Sequence, residues 1–136
     1  MRTQLTRKIS ISASHRLISS HLSPEENADL FGKCYSPNGH GHNYEVSVTL
    51  QGEVDPRTGI VFDLVRLKEI MMEEIHEPFD HKHLNLDCNE FKELNPTTEN
   101  LAQIIFKKID LRLPKNLLYS VEVWETSNNV VRVLRG

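Results

Sequence analysis

Apolar and polar residues alternate along three stretches of the chain, and this period of two predicts β-strands. The stretches cover residues 9–15, 40–52 and 119–125. Because side chains two residues apart on a strand point to the same face, His15 and Glu125 both fall on apolar strand faces. The apolar face of the third stretch is also expected to carry Tyr119, Val121 and Val123.

Turn residues predict two further strands. Residues 55–59, Asp-Pro-Arg-Thr-Gly, have the composition of a tight turn, so residues 60–62 are expected to return beside the second strand as a hairpin. Asn128 and Asn129 mark another turn, after which residues 130–134 are expected to form a closing strand.

Three helices are predicted from their caps and from apolar residues at helical spacing. Ser23 begins a capping box for a short helix. Asp63 caps a second helix of about three turns, which Pro78 should end, and Thr97 or Thr98 caps a third. The buried stripes are expected to be Leu64, Leu67, Ile70, Met71 and Ile75 in the second helix and Leu101, Ile104, Ile105 and Ile109 in the third.

This order of elements indicates an α+β fold with a mostly antiparallel β-sheet and two long helices packed on one face. At 136 residues the chain, residues 1–136, is expected to be one domain. A small open sheet of this kind leaves strand edges to be covered.

Composition and charge narrow the class of function. With 38% hydrophobic residues, 26% charged residues and a formal net charge of -3, the chain lacks the basic footprint of a nucleic-acid or anionic-membrane binder. No apolar run approaches the ~20 residues of a transmembrane helix, and residues 1–8 are too polar to lead a signal peptide. Two cysteines at distant positions indicate no disulfide framework, so we expect a cytoplasmic protein with free thiols.

The strongest chemical signal lies between Cys34 and Tyr44. His40 and His42 are two residues apart on the second strand and should point the same way. Two neutral imidazoles on one stiff element form a bidentate zinc site, and a catalytic zinc usually takes a third protein ligand. His15, at the end of an apolar strand face, is the candidate, and a core histidine is the alternative for it.

Two other groups are candidates for chemistry. Asp80 and His81 lie in a polar segment after the second helix, and a carboxylate beside an imidazole indicates acid/base catalysis. The alternative for this pair is a solvated charge cluster. Glu125 is a carboxylate on an apolar face, where it needs a donor, a positive charge or a ligand. Cys88 has no histidine or cysteine at metal spacing and is interpreted as a plain thiol.

Six short motifs, in order, span nearly the whole chain. They are Ala13-Ser14-His15-Arg16-Leu17, Phe31-Gly32-Lys33-Cys34, Pro37-Asn38-Gly39-His40-Gly41-His42-Asn43-Tyr44, Asp80-His81-Lys82, Thr97-Thr98-Glu99-Asn100 and Glu125-Thr126. Together they resemble the motifs of the 6-pyruvoyl-tetrahydropterin synthase family, whose members have the tunnelling fold.

That resemblance implies a zinc-dependent lyase that eliminates triphosphate from 7,8-dihydroneopterin triphosphate and gives 6-pyruvoyl-tetrahydropterin, in tetrahydrobiopterin biosynthesis. His15, His40 and His42 match the family's zinc ligands, so Zn2+ is the expected cofactor. Cys34 matches the family's proton-abstracting cysteine. In such enzymes zinc binds the side-chain hydroxyls of the substrate while the thiolate removes a proton. Because a free cysteine has a pKa near ~8.5, a nearby cation or zinc must favour the thiolate.

The resemblance also implies a site shared between subunits. Asp80 and His81 match residues that relay protons to the cysteine of a neighbouring subunit. Glu125 matches the glutamate that holds the pterin and is sometimes counted in the relay, and Thr97 and Thr98 are further substrate-binding candidates. The family forms homotrimers whose sheets join into a β-barrel, paired into hexamers, and such closure would cover the sheet edges.

Two alternatives stay open at this point. The 6-carboxy-tetrahydropterin synthases of queuosine biosynthesis look alike and use the same substrate, but five residues separate Cys34 from His40, as in the pyruvoyl-forming enzymes, whereas carboxy-forming relatives usually have a shorter spacer. The other alternative is a zinc- and pterin-binding protein without turnover, and the presence of Cys34 argues against it. Arg16, Lys33 and Lys82 flank the site and are candidates for holding the triphosphate.

Overall fold

The structure is a computed structural model that describes residues 1–136. Its strands are β1 (Thr3–His15), β2 (His40–Gly52), β3 (Lys82–His83), β4 (Leu118–Trp124) and β5 (Val130–Leu134). They form a single sheet in the spatial order β3-β1-β2-β4-β5. All neighbours are antiparallel except β1 and β3, which are parallel. The predicted, mostly antiparallel sheet is therefore confirmed.

The three predicted helices begin at their predicted caps, and two short helices that are not predicted from the sequence lie between the second and the third. They are α1 (Pro24–Phe31), α2 (Leu64–Met71), α3 (Glu77–Phe79), α4 (Leu84–Asp87) and α5 (Thr98–Asp110), with 3₁₀ turns at Gly32–Tyr35 and Asn89–Phe91 and a π-helical turn at Met72–His76. Ser23 forms a full capping box with Glu26, and the side chains of Asp63 and Thr97 cap α2 and α5. None of these helices has the length and apolar content needed to span a bilayer.

One face of the sheet carries the hydrophobic core. Residues of β1, β2, β4, α2 and α5 contribute to a single cluster of 22 buried apolar side chains, and the partly buried Val131 and Val133 of β5 pack against it. The opposite face is polar, since the hydroxyls of Thr6 and Thr49 lie 2.8 Å apart on it and Ser47 and Ser120 are buried there. This one-sided arrangement confirms the α+β fold class with helices on a single face.

The prediction of a hairpin strand at residues 60–62 is wrong. Both edges of β2 are occupied, one by β1 and the other by β4, so no edge is left for a returning strand. The segment instead closes a loop, in which the Asp55 N–H donates to the Ile60 carbonyl at 3.0 Å and Gly59 has a left-handed backbone with φ of 77°. Phe62 then packs against the core.

Three details of the predicted elements also need correction. Pro78 does not stop the helical backbone at the residue before it, since a π-helical turn at Met72–His76 follows α2 and the backbone stays helical through Pro78 to Phe79. Leu64 lies at the exposed start of α2. Tyr119 turns away from the core while Leu118 is buried, because the register between β2 and β4 shifts at this point.

Candidate functional site

Three histidines converge at one end of the β1–β2 pair. His15 and His40 face each other across the pair, and His42 follows two residues further along β2. The Nε2 atoms of His15 and His40 lie 3.3 Å apart. One ligating atom from each of the three side chains lies within 4.8 Å of the others. The structure thus brings together the three histidines that the sequence singled out, and the cluster can hold a metal ion.

His15 is held in the orientation that a metal ligand needs. The residue is 1% exposed, and its Nδ1–H donates to the backbone carbonyl of Pro96 at 2.7 Å. A proton on Nδ1 leaves the Nε2 lone pair free, and Nε2 is the atom that faces His40. The hydroxyl of Tyr44 lies 3.3 Å from the same Nδ1. Burial raises the pKa of this phenol, so it stays protonated.

Burial also keeps two of the imidazoles neutral. It lowers the pKa of His15, against the effect of the Pro96 carbonyl, and it lowers the pKa of His42, against the effect of Glu125. The Nε2 atom of His42 is buried without a hydrogen-bond partner, which is costly for a polar nitrogen unless a ligand binds it. A cluster of three imidazoles, one of which has an unpartnered buried nitrogen, fits a zinc ion, because zinc favours nitrogen and sulfur ligands.

Cys34 is half-buried in the 3₁₀ turn that precedes β2. Its carbonyl accepts a hydrogen bond from the N–H of Leu17 at 2.8 Å, which ties this turn to the residues that follow His15. Arg16 adds a second link, since its Nε–H donates to the Tyr35 carbonyl at 2.8 Å. The thiol therefore lies on a fixed turn, and this turn is tied to the end of β1 at which the histidine cluster lies.

Glu125 lies just past the end of β4, between His42 and the first turn of α5. Its Oε2 accepts a hydrogen bond from Thr98 Oγ1 at 2.5 Å, and its Oε1 lies 3.9 Å from His42 Nε2. The carboxylate is half-buried on the side of the sheet where α5 packs, which is the face that the alternation predicts, although β4 itself ends at Trp124. Thr97 is placed differently from Thr98, since its Oγ1 accepts from the N–H of Asn100 at 3.1 Å and so caps α5.

Asp80 and His81 form a hydrogen-bonded pair on the outer edge of β1. Asp80 Oδ1 accepts from the Ser12 N–H at 2.8 Å, and Oδ2 accepts from His81 Nδ1–H at 2.7 Å. The Ser12 N–H is the main cause of a lowered pKa at Asp80, and His81 adds to it. Although the pair is ordered, the His81 side chain is 81% exposed. Within one chain, no hydrogen bond or ion pair joins either residue to Cys34 or to the histidine cluster.

Two groups that contact the site residues, His76 and the Pro96 carbonyl, are not predicted from the sequence. The interpretation of Cys88 as a plain thiol agrees with the structure. His76 Nε2 lies 3.3 Å from Asp80 Oδ2, and the four-residue spacing of the two at a helix end is the signal that indicates this contact. The Pro96 carbonyl has no sequence signal, because every residue carries one. Cys88 is buried with its Sγ 3.6 Å from the Pro78 carbonyl, and burial raises the pKa of this thiol, so it is a poor nucleophile or base.

Comparisons with known protein sequences cover nearly the whole chain. Residues 4–135 match the sequence model of the 6-pyruvoyl tetrahydropterin synthase family. The 6-pyruvoyl tetrahydrobiopterin synthase of Homo sapiens is 54% identical over 128 residues, which cover 94% of this chain and 88% of the human one. The corresponding protein of Poecilia reticulata is 48% identical over 132 residues, which cover 97% of this chain and 89% of the relative.

A solved structure gives the same match at the level of the fold. The 6-pyruvoyl tetrahydropterin synthase of Caenorhabditis elegans superposes with a TM-score of 0.95 at 40% identity, and the alignment covers 100% of this chain and 97% of that one. The fold implied by the six sequence motifs is therefore the fold that the structure has.

Proposed function

The chain belongs to the 6-pyruvoyl tetrahydropterin synthase family, and from this premise we propose that it eliminates triphosphate from 7,8-dihydroneopterin triphosphate to give 6-pyruvoyl-tetrahydropterin. The observation that carries the proposal is the convergence of three imidazoles beside the fixed Cys34 turn and the Glu125 carboxylate. These groups are a metal-binding set, a proton acceptor and an anionic partner for ring N–H groups. The product belongs to tetrahydrobiopterin biosynthesis, in accord with the names of the relatives.

The metal that we propose is zinc, held by His15, His40 and His42. The support is the chemistry of the donor set, since burial lowers the pKa of His15 and of His42 and leaves the Nε2 of His42 without a hydrogen-bond partner. When bound there, zinc supplies Lewis acidity to the side-chain oxygens of the substrate. The Pro96 carbonyl contributes by keeping the His15 proton on Nδ1.

Cys34 is proposed as the acceptor of the substrate proton. Its turn is fixed by the Leu17 N–H, so the backbone that carries the thiol is in place before substrate binds. Asp80 and His81 are proposed to pass protons to and from a cysteine. Since Asp80 Oδ2 holds the proton on His81 Nδ1, the exposed Nε2 is the atom that exchanges protons.

The working form that we propose is a trimer whose sheets join into a barrel, with two trimers paired as a hexamer. β3 covers only Ala13 and Ser14 on the outer edge of β1, and no strand lies beyond β5. Both edges therefore carry unpaired backbone groups, which closure with other copies would satisfy. The same closure would carry the Asp80–His81 pair, which lies on the β1 edge, towards the Cys34 of another subunit.

Glu125 is proposed to hold the pterin ring through two charge-assisted hydrogen bonds from adjacent ring N–H groups. Thr98 fixes the carboxylate by donating to Oε2. Thr97 is proposed as a further substrate contact, because its hydroxyl accepts from Asn100 and can still donate to a ligand.

The proposal is tested by incubating purified, zinc-loaded protein with 7,8-dihydroneopterin triphosphate and measuring both released triphosphate and the pterin product. Release together with 6-pyruvoyl-tetrahydropterin is the expected result. A 6-carboxy product would assign the chain to the carboxy-forming reaction, and pterin binding without release would make it a binding protein. Cys34→Ala is the matched control, because it should keep the metal and lose the release.

A further inference from the structure

Arg16 is a rigidly held cation at the edge of the candidate site. Its backbone N–H donates to Asn85 Oδ1 and its carbonyl accepts from Asn85 Nδ2, both at 2.8 Å. Its guanidinium carbon lies 4.2 Å from the centre of the Tyr35 ring, and its Nε–H donates to the Tyr35 carbonyl at 2.8 Å. Backbone and side chain are thus both fixed before any ligand binds.

The charge of this guanidinium is not neutralised within the chain. Five other arginines form ion pairs with carboxylates, namely Arg57, Arg66, Arg112, Arg132 and Arg135. Arg16 has no acidic partner, and its contacts with Tyr35 leave the two terminal nitrogens of the guanidinium fork without an acceptor. A planar fork of this kind matches the oxygens of a phosphate group. Because the side chain is already ordered, binding an anion there costs little further conformational entropy.

Arg16 connects the two segments of the chain that carry the reacting groups. It follows the metal-site residue His15 directly, and Tyr35, on which it stacks, follows Cys34 directly. The contact of Arg16 with the Tyr35 carbonyl therefore links the end of β1, which carries His15, to the 3₁₀ turn that carries Cys34. The triphosphate of the proposed substrate is attached to the same side chain that carries the reacting hydroxyls, and it must therefore pass close to these residues.

We propose, resting on the proposed function, that Arg16 binds the triphosphate of the substrate and that Tyr35 and Asn85 hold it in place for this contact. Lys33, exposed on the same 3₁₀ turn as Tyr35, adds a second positive charge. Arg16 thereby makes the site prefer phosphorylated pterins to phosphate-free ones.

The test measures the affinity of the zinc-loaded, full-length protein for inorganic triphosphate by calorimetry. Metal content is checked after each titration, because triphosphate also binds zinc. Arg16→Gln should weaken binding about 10- to 100-fold, as expected for the loss of charge-assisted hydrogen bonds. Arg16→Lys keeps the charge but not the planar guanidinium fork, so its affinity for triphosphate should lie between those of the parent and Arg16→Gln. Arg57→Gln removes the same charge beyond the far end of the β1–β2 pair, roughly 40 Å away by strand rise, and should leave the affinity unchanged.

Kinetics separate a phosphate contact from a purely structural role. If Arg16 binds phosphate, Arg16→Gln raises KM for 7,8-dihydroneopterin triphosphate and leaves the affinity for neopterin, which has no phosphate, as in the parent. If Arg16 only braces the Cys34 turn, turnover falls while the affinity for inorganic triphosphate is retained, and the proposal is overturned. A parent protein that binds no inorganic triphosphate overturns it as well. Failure of the proposed function looks different, since the parent would bind triphosphate but release none from the substrate.

Discussion

Replacing Glu125 by glutamine tests the proposed pterin site directly, because the substitution keeps the shape of the side chain and removes its charge. In the structure Oε2 accepts from Thr98 Oγ1 at 2.5 Å, and Oε1 lies 3.9 Å from His42 Nε2. A glutamine side chain retains one oxygen for Thr98. It places an NH₂ group where the carboxylate would accept a second N–H from the pterin ring, so a donor then faces a donor.

The expected loss of pterin affinity follows from the hydrogen bond that disappears. A hydrogen bond to a charged group contributes about 1.5–3 kcal/mol, which corresponds to roughly 10- to 150-fold in Kd. The carboxylate is 27% exposed, so solvent screening places the expected value in the lower half of that range. The assay is a fluorescence titration of zinc-loaded protein with neopterin, a pterin without phosphate.

Thr98→Val is the matched control for this measurement. It removes the hydroxyl that orients the carboxylate but leaves the charge, and it should cost about 0.5–1.5 kcal/mol. Zinc content has to be the same in both variants, because a loss of metal would report on His42 instead of the pterin contact. A Kd for Glu125→Gln equal to that of the parent would refute the role of Glu125.

Four further predictions concern the metal and the proton path. His42→Ala should abolish binding of one zinc per chain, and full occupancy by metal analysis would contradict the cluster's role. Cys34→Ala should keep zinc but lose about 10²–10⁴-fold in turnover, and near-parental activity would remove the thiol from the mechanism. Exchanging subunits between Cys34→Ala and His81→Ala in equal parts should restore about one quarter of the sites, whereas exchange verified by mass without recovery would place the site within one chain. His76→Gln should raise the pKa of Asp80, because His76 is one of the charges that lower it, and NMR titration of the carboxyl carbon checks the sign.

The metal cluster could be predicted as far as it depends on local periodicity. The two-residue spacing of His40 and His42 fixes their common face whichever strand lies beside them. The position of His15 opposite His40 depends instead on the register of β1 against β2, and that register pairs residues distant in the sequence. Alternation could therefore place His15 at a strand end but could not bring it to the other two histidines. The sequence thus offers His15 as a candidate third ligand, and the strand register supplies the contact itself.

Two of the errors and one unpredicted contact share a physical origin. Residues 60–62 follow good turn chemistry, yet β4 arrives from much later in the chain and takes the edge of β2 that a hairpin would need. Tyr119 obeys the alternation, yet a register shift between β2 and β4 turns it outward. The Ser12 N–H that holds Asp80 lies 68 residues away from it in the sequence. In each case a long-range strand contact decides the outcome, and local pattern carries no information about it.

The location of the Asp80–His81 pair ties assembly to catalysis. Its anchor is Ser12 on the outer edge of β1, and most of that edge has no partner strand within the chain. An open edge is an aggregation hazard that proteins usually cover, and covering this one with another copy brings the exposed His81 against that copy. The histidine cluster and Cys34, in contrast, are held by contacts within one chain. A single chain thus carries all the proposed metal ligands, and in the proposed assembly the Asp80–His81 pair of another copy would complete the proton path while the same contact covers the sheet edge.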